Sequence, residues 1–353
     1  PLAIEPGGQE NITLRFFPLA AGDHSGVLTI ESDAPGRSAS TQVMLSGAGG
    51  ALALRAQPVQ MAGRGPADLL VADFNGDGAV DLAVADSAGG QVRVHYNDGS
   101  GDFKDAVVFP NETSSYGDWD QPAFLAAAAI FGTGIDLVVG DPVARSISIL
   151  ANRGGRFDSE RHDIYIGHTI ADVLAVDLDA DGDSDIATAN WDDASVTVLY
   201  NNGRGTFNAR TALAVDPGPV ALAAGYLNAD DHRDLVLANS LAGTVSVLFG
   251  NREGGFLPRE DMVVGIEPVA VTIIDVDADG DNDLLVGNRG SRDVAVLLND
   301  GDGGLTLSER VRIDLPVAHM DLSDMTRDIF SDLVVVSASG SHIAFLENDA
   351  GAG

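Results

Sequence analysis

Along most of this chain, apolar residues fall in short runs such as VAVTIIDV, DLLVGN and DVAVLLN, each bounded by Gly, Asn or Asp. No segment of useful length carries helical spacing, so the pattern predicts β-strands. One phrase recurs as DGAVDLAVAD, TGIDLVVGD, DSDIATAN, HRDLVLAN, DNDLLVGN and FSDLVVVS. Its Asp stands at Asp81, Asp136, Asp185, Asp234, Asp283 and Asp332, at intervals of 55, 49, 49, 49 and 49 residues. The longer first interval coincides with an extra polar segment, NETSSYGDWDQ, at 111–121. A Gly/Asn-rich turn closed by an apolar residue runs in step with the phrase, as NDGSGDF, NRGGRF, NNGRGTF, NREGGF and NDGDGGL. Turns of this composition join adjacent antiparallel strands.

Four strands per repeat, repeated six times, predict an all-β chain built as a β-propeller of six four-stranded antiparallel blades, with a solenoid as the alternative architecture. The last repeat stops after a third strand, HIAFLEN, while residues 51–60, ALALRAQPVQ, read as a fourth strand with no predecessor. Pairing the two would close the ring and remove an open edge; further C-terminal sequence would instead add a seventh blade. Residues 1–49 do not follow the period, so the expected domains are 1–49 and 50–353. Through PGG, AAGDHSGVLTI and the closing LSGAG, the first of these resembles half of an immunoglobulin-like bacterial surface module of the ASH or choice-of-anchor type. Half a sandwich cannot cover its own core face, so missing upstream sequence or a partner is expected there.

Ahead of the repeated phrase, three copies carry carboxylates in the form D-x-[DN]-x-D-G-x-x-D. They are Asp73, Asn75, Asp77 and Asp81; Asp177, Asp179, Asp181 and Asp185; and Asp275, Asp277, Asp279 and Asp283. Oxygen ligands at positions 1, 3, 5 and 9, a Gly that lets the chain fold back, and a backbone carbonyl at position 7 (Ala79, Asp183 or Asp281) suit Ca²⁺. Turns also favour Asp, Asn and Gly. Carboxylates this crowded repel one another, however, and a cation removes that cost. Position 12 is Val84, Thr188 or Val286, and strands flank the loop, so it is not an EF-hand. Asn228, Asp230 and Asp234 in the fourth copy, and Asp324, Asp328 and Asp332 in the sixth, are weaker metal candidates; the second copy keeps Asp136 alone. Phrases such as DFNGDGAVDLAVAD and DVDADGDNDLLVGN resemble the FG-GAP or VCBS repeats of integrin α-subunit propellers and bacterial surface proteins. That resemblance implies a propeller with calcium in its hairpin loops, secreted or at a cell surface, serving adhesion or ligand recognition.

Charge narrows the partners. With 53 acidic and 20 basic residues the formal net charge is −33, which repels nucleic acid and anionic lipid. About three Ca²⁺ sites would bring it only to −27 (three times +2), so most of the acidity is solvated surface. There is no cysteine and therefore no disulfide or thiolate site, no run of apolar residues reaches a membrane span, and the N-terminus lacks the order of a signal peptide. An internal piece of a longer precursor is the expectation.

No nucleophile elbow, phosphate loop or metal-spaced histidine pair occurs, so the chain is expected not to be an enzyme. For recognition, the row Ser87, Pro142, Trp191, Ser240, Arg289 and Ala338 follows the second strand of each repeat at constant register. Trp191 beside Asp192 and Asp193, with Tyr116 and Trp119 from the inserted segment, forms a candidate ligand face. An extracellular protein or glycan is the expected partner. The alternatives are a lectin-like propeller, a polysaccharide-active enzyme, and a filament or matrix subunit that self-associates through residues 1–49.

Overall fold

The computed structural model describes residues 23–32, 39–48, 63–100, 103, 106–110, 117–325, 330–339 and 342–348. The repeats fold as a six-bladed propeller of antiparallel sheets, five with four strands and a sixth with three strands among the described residues. Each recurrent phrase opens the second strand of its blade: Asp81–Asp86, Asp136–Asp141, Asp185–Asn190, Asp234–Asn239, Asp283–Asn288 and Asp332–Ser337. The strand before it, such as Pro66–Ala72 or Ile170–Val176, neighbours the corresponding strand of the next blade, so these first strands form the inner ring around the channel. A separate hairpin pairs Asp23–Ser32 with Ala39–Ala48, and its second strand lies beside Pro66–Ala72. The proposed closing strand at 51–60 lies outside the described residues, as does most of the segment read as immunoglobulin-like.

Second strands are buried along their whole length in blades two to five, which is why they read as continuous apolar runs rather than alternating ones. Both their faces meet neighbouring blades. Five apolar clusters accordingly sit between blades rather than within them. One joins Phe74, Val92 and Val94 to Leu125, Leu137 and Leu150, and another joins Ile147 and Ile149 to Ile170 and Ile186. Each large side chain buried this way contributes about 1.5–3 kcal/mol.

The Gly-rich turns close over these joints. Gly205, at φ +68°, leaves room for the ring of Phe131 from the preceding blade, which a Cβ would approach to 2.0 Å. Gly205→Ala adds left-handed strain to overpacking, and should lower unfolding stability by roughly 2–5 kcal/mol. Urea unfolding indistinguishable from wild type would show that the turn repacks at no cost.

Candidate metal centres and the opposite loop face

In all six blades the Asp that opens the second strand is fully buried and spans the hairpin. One oxygen accepts the N–H of the second loop residue and the other accepts the N–H that starts the Asn-rich turn. For Asp81 the donors are Phe74 (3.0 Å) and Asn97 (2.8 Å); for Asp185, Leu178 and Asn201 (both 2.8 Å); for Asp283, Val276 and Asn299 (both 2.9 Å). Asp234 and Asp332 repeat the pair, and Asp136, whose loop has lost its other carboxylates, makes a variant of it, accepting from Asn152 and from Phe131, five rather than seven residues back. The period in the sequence is therefore first a period of hairpin clamps, and position 9 of the loop is a structural carboxylate whether or not it also binds an ion.

The first-position carboxylates organise the loops. Asp73 accepts Gly76 N–H at 2.7 Å and Gly78 N–H at 2.9 Å, while Asp177 accepts Ala180 N–H at 2.8 Å and Gly182 N–H at 3.1 Å. Position 4 is left-handed in each loop, at Gly76, Ala180 and Ala278, and so is the Gly at position 6. Folded back in this way, Asp177, Asp179 and Asp181 bring carboxylate oxygens within 4.8 Å of one another, and Asp275, Asp277 and Asp283 do the same. In the first loop Asn75 donates from Nδ2 to Asp77 Oδ2 at 2.9 Å, and its Oδ1 accepts the Asp77 N–H. Ala79, Asp183 and Asp281 donate their N–H groups to the position-5 carboxylates Asp77, Asp181 and Asp279.

These donors fit a hard cation. Oδ1 of Asp275 is shielded from solvent and has no hydrogen-bond partner, which is costly for a carboxylate oxygen unless something positive meets it. Burial, reinforced by Asp179 and Asp181, pushes Asp185 up to about 6, and burial also raises Asp179, Asp81 and Asp283. The fourth loop replaces the first carboxylate with Tyr226, and Arg233 stacks over its ring at 4.9 Å. Asn228 and Asp230 keep the loop turns there. In the sixth copy Asp328 lies outside the described residues, leaving Asp324 and the clamp Asp332.

Several loops also bond the next blade. Asn152 Nδ2 donates to Phe74 O at 2.7 Å, Asn299 Nδ2 to Leu227 O at 2.7 Å, and Asn348 Nδ2 to Val276 O at 3.0 Å. A cation held by Asp275, Asp277 and Asp283 would supply charge neutralisation at such a joint.

At the opposite end of the blades, residues following the second strands bond the residues leading into the inner strands. Trp191 N–H donates to Thr169 O, and Ser240 N–H to Gly218 O. Trp191 is 37% exposed there. Trp119 is not on this surface: it is buried, donates Nε1–H to Ser148 Oγ at 3.0 Å and lies under Arg161. As a ligand contact it is corrected to a packing residue, and Tyr116 falls outside the described residues.

Sequence reasoning missed the channel. A bulge at the start of the inner strands places Asp68, Asp172 and His319 at equivalent stations, where blades four and five have Ala221 and Ala270. The signal was the spacing PAD, IAD and VAH at the head of each repeat. Asp68 accepts the N–H of Leu69 and, from the next blade, of Leu125 at 2.7 Å; Asp172 accepts those of Val173 and, from the next blade, Leu222 at 2.7 Å. Enclosure by the ring pushes Asp68 up to about 6 and Asp172 to about 7, and lowers His319, although solvent still reaches these groups through the channel.

A carboxyl that titrates higher in the folded than in the unfolded state binds more protons when folded. Its stabilising contribution is complete below the unfolded value near 4 and is lost as pH rises through 6 to 7. Asp172→Asn should therefore flatten the decline in unfolding stability between pH 4 and 7. Parallel slopes for the two proteins in urea titrations across that range would remove Asp172 as the cause.

Comparison with known proteins agrees with the architecture. The FG-GAP-like repeat family matches residues 73–128 and 177–237, and the family of KICSTOR complex protein kaptin matches residues 227–350. No curated protein matches the chain in sequence. Among solved structures, BBS1N in complex with ARL6DN is similar at TM-score 0.56 and 15% identity, over 81% of this chain and 79% of that one. The periplasmic gluconolactonase PpgL of Pseudomonas aeruginosa is similar at TM-score 0.56 and 14% identity, over 93% of this chain and 100% of that one. A candidate 6-phosphogluconolactonase of Bacteroides uniformis reaches TM-score 0.53 at 14% identity, over 92% of this chain and 99% of that one. These likenesses are of fold. They correct the expectation that the chain is not an enzyme: proteins described as lactonases share this propeller, and the channel holds titratable groups that no linear motif reveals.

Proposed function

We propose that this chain is an extracellular recognition module: a propeller braced by Ca²⁺ at the joints of its blades on one face, and presenting its ligand surface on the other. The observation that carries the metal half is the unpartnered, shielded Oδ1 of Asp275 beside Asp277 and Asp283. The FG-GAP-like repeats support placement at a cell surface or in the medium. Large apolar side chains support a contact role for the second face: Val143, Trp191 and Leu241 follow second strands, and Tyr165, Val263 and Ile266 lie where one blade passes to the next, all exposed. An extracellular protein or a glycan suits a surface of this charge better than nucleic acid or an anionic bilayer does. Isothermal calorimetry with Ca²⁺ and Mg²⁺ tests the metal: about three Ca²⁺ sites are expected, with Mg²⁺ much weaker, and an absence of heat from Ca²⁺ would remove it.

The channel station Asp68, Asp172 and His319 favours a second reading, hydrolysis of a small cyclic ester. A carboxyl near 7 and an imidazole shifted down by burial are suited to proton transfer. Proton release from gluconolactone above the spontaneous rate, lost in Asp172→Asn, would support it. Equal rates with and without protein would exclude this substrate class.

A further inference from the structure

Blade three differs from the others on the recognition face. At the station following the second strand, the other blades carry Ser87, Pro142, Ser240, Arg289 and Ala338, whereas blade three carries Trp191 followed by Asp192 and Asp193. Trp191 N–H donates to Thr169 O, and a cluster of polar side chains gathers on the residues beside these two. Asp192 accepts the Thr169 N–H at 2.9 Å and the Thr169 hydroxyl at 3.2 Å, and Arg145 stands 3.8 Å from it. His168 lies between the two carboxylates, Nδ1 at 3.8 Å from Asp192 and Nε2 at 3.7 Å from Asp193. Beyond it Tyr165, 67% exposed, lies alongside Gly167, whose added Cβ would meet Cε1 of the ring at 3.6 Å. Burial alone would raise the Asp192 carboxyl, but the Thr169 donors and Arg145 hold it below its ordinary value, so it stays an acceptor.

From this arrangement we infer that Trp191 and the 165–169 segment form a binding site for an uncharged sugar ring. An indole face attracts the polarised C–H groups of a sugar, while planar carboxylate, guanidinium and imidazole edges match neighbouring hydroxyls with paired donors and acceptors. The Thr169 hydrogen bonds fix Asp192 before a ligand arrives, with Arg145 and His168 held close to it, which lowers the entropy cost of binding. Charge selects the class of sugar. Two carboxylates against one guanidinium, on a protein of net charge −33, disfavour uronic, sialylated or sulfated rings. This inference specifies the ligand of the recognition module proposed above and rests on that reading.

The sequence has two tryptophans, and Trp119 is buried, so quenching or a spectral shift of the exposed emission reports on Trp191. The intact chain would be applied to an array of neutral and acidic glycans in Ca²⁺, and the strongest ligand titrated by fluorescence. Binding of neutral glycans is expected, weakened at least about tenfold in Trp191→Ala and largely kept in Trp191→Phe. Trp191 is 37% exposed and therefore partly packed, so the Ala variant should melt somewhat below wild type while staying folded, and circular dichroism at the binding temperature checks that a loss of binding is not a loss of fold. Binding confined to acidic glycans, no glycan binding, or equal affinity in Trp191→Ala would each overturn the inference. Glycan binding without calcium heat would instead sink only the metal half of the proposed function, and calcium heat without glycan binding only this site.

Discussion

Asp136→Ala should lower the unfolding free energy by roughly 2–6 kcal/mol, and by the same amount with and without Ca²⁺. Asp136 is fully buried, and its two oxygens accept the N–H groups of Phe131 at 2.8 Å and Asn152 at 2.7 Å. Alanine leaves both donors without partners, and each costs about 1–3 kcal/mol when it cannot reach water. Asp136→Asn keeps one acceptor and turns an amide N–H toward the other donor, so about half the loss should remain. The second blade isolates the clamp from metal binding, because its loop, AIFGTGIDL, has no other carboxylate. Urea unfolding of the three proteins in EDTA and in Ca²⁺ measures both effects. A loss below about 1 kcal/mol would mean that water replaces the carboxylate, and a loss that appears only in Ca²⁺ would mean that the clamp is a ligand after all.

The same residue explains why the blade count was legible from sequence. A clamp that fixes one hairpin per blade must recur once per blade, so its spacing counts blades without any knowledge of their arrangement. Its role was less legible. Position 9 was read as a ligand because it completes a calcium pattern, yet Asp136 and Asp332 keep the clamp in copies where that pattern is degraded. The carboxylates before it were read as converging, and two of the three loops bring three acidic side chains together. The channel was illegible for a different reason. Asp68, Asp172 and His319 are separated by about one hundred residues or more, and only a bulge at the head of each inner strand puts them at one level. Trp119 was misread because an aromatic in a polar insertion suggests a surface platform, whereas the insertion folds its indole back onto Ser148. Trp191 follows a second strand whose pairing fixes its station but not its exposure, since Pro142 at the same station of blade two is buried.

Calcium is expected to reverse the sign of a single substitution. In EDTA, Asp277→Asn should melt above wild type, since it removes one of three acidic groups crowded within 4.8 Å and relieves the repulsion felt by Asp275 and Asp283. In saturating Ca²⁺ it should melt below wild type, because it discards the stabilisation of an occupied site, about 2.7 kcal/mol at one hundred times the dissociation constant. Asp179→Asn should behave alike in the third blade. The two losses should add, because the sites stand on non-adjacent blades and share no ligand. Acid should erase the crossover: protons compete for the same oxygens, Asp185 already titrates near 6, and the calcium-dependent rise in melting temperature should shrink from pH 7 to pH 5. If the variant melted below wild type in EDTA as well, Asp277 would be a turn residue whose side chain holds the loop by hydrogen bonding. The −33 charge would then be borne without ions at the joints of the blades.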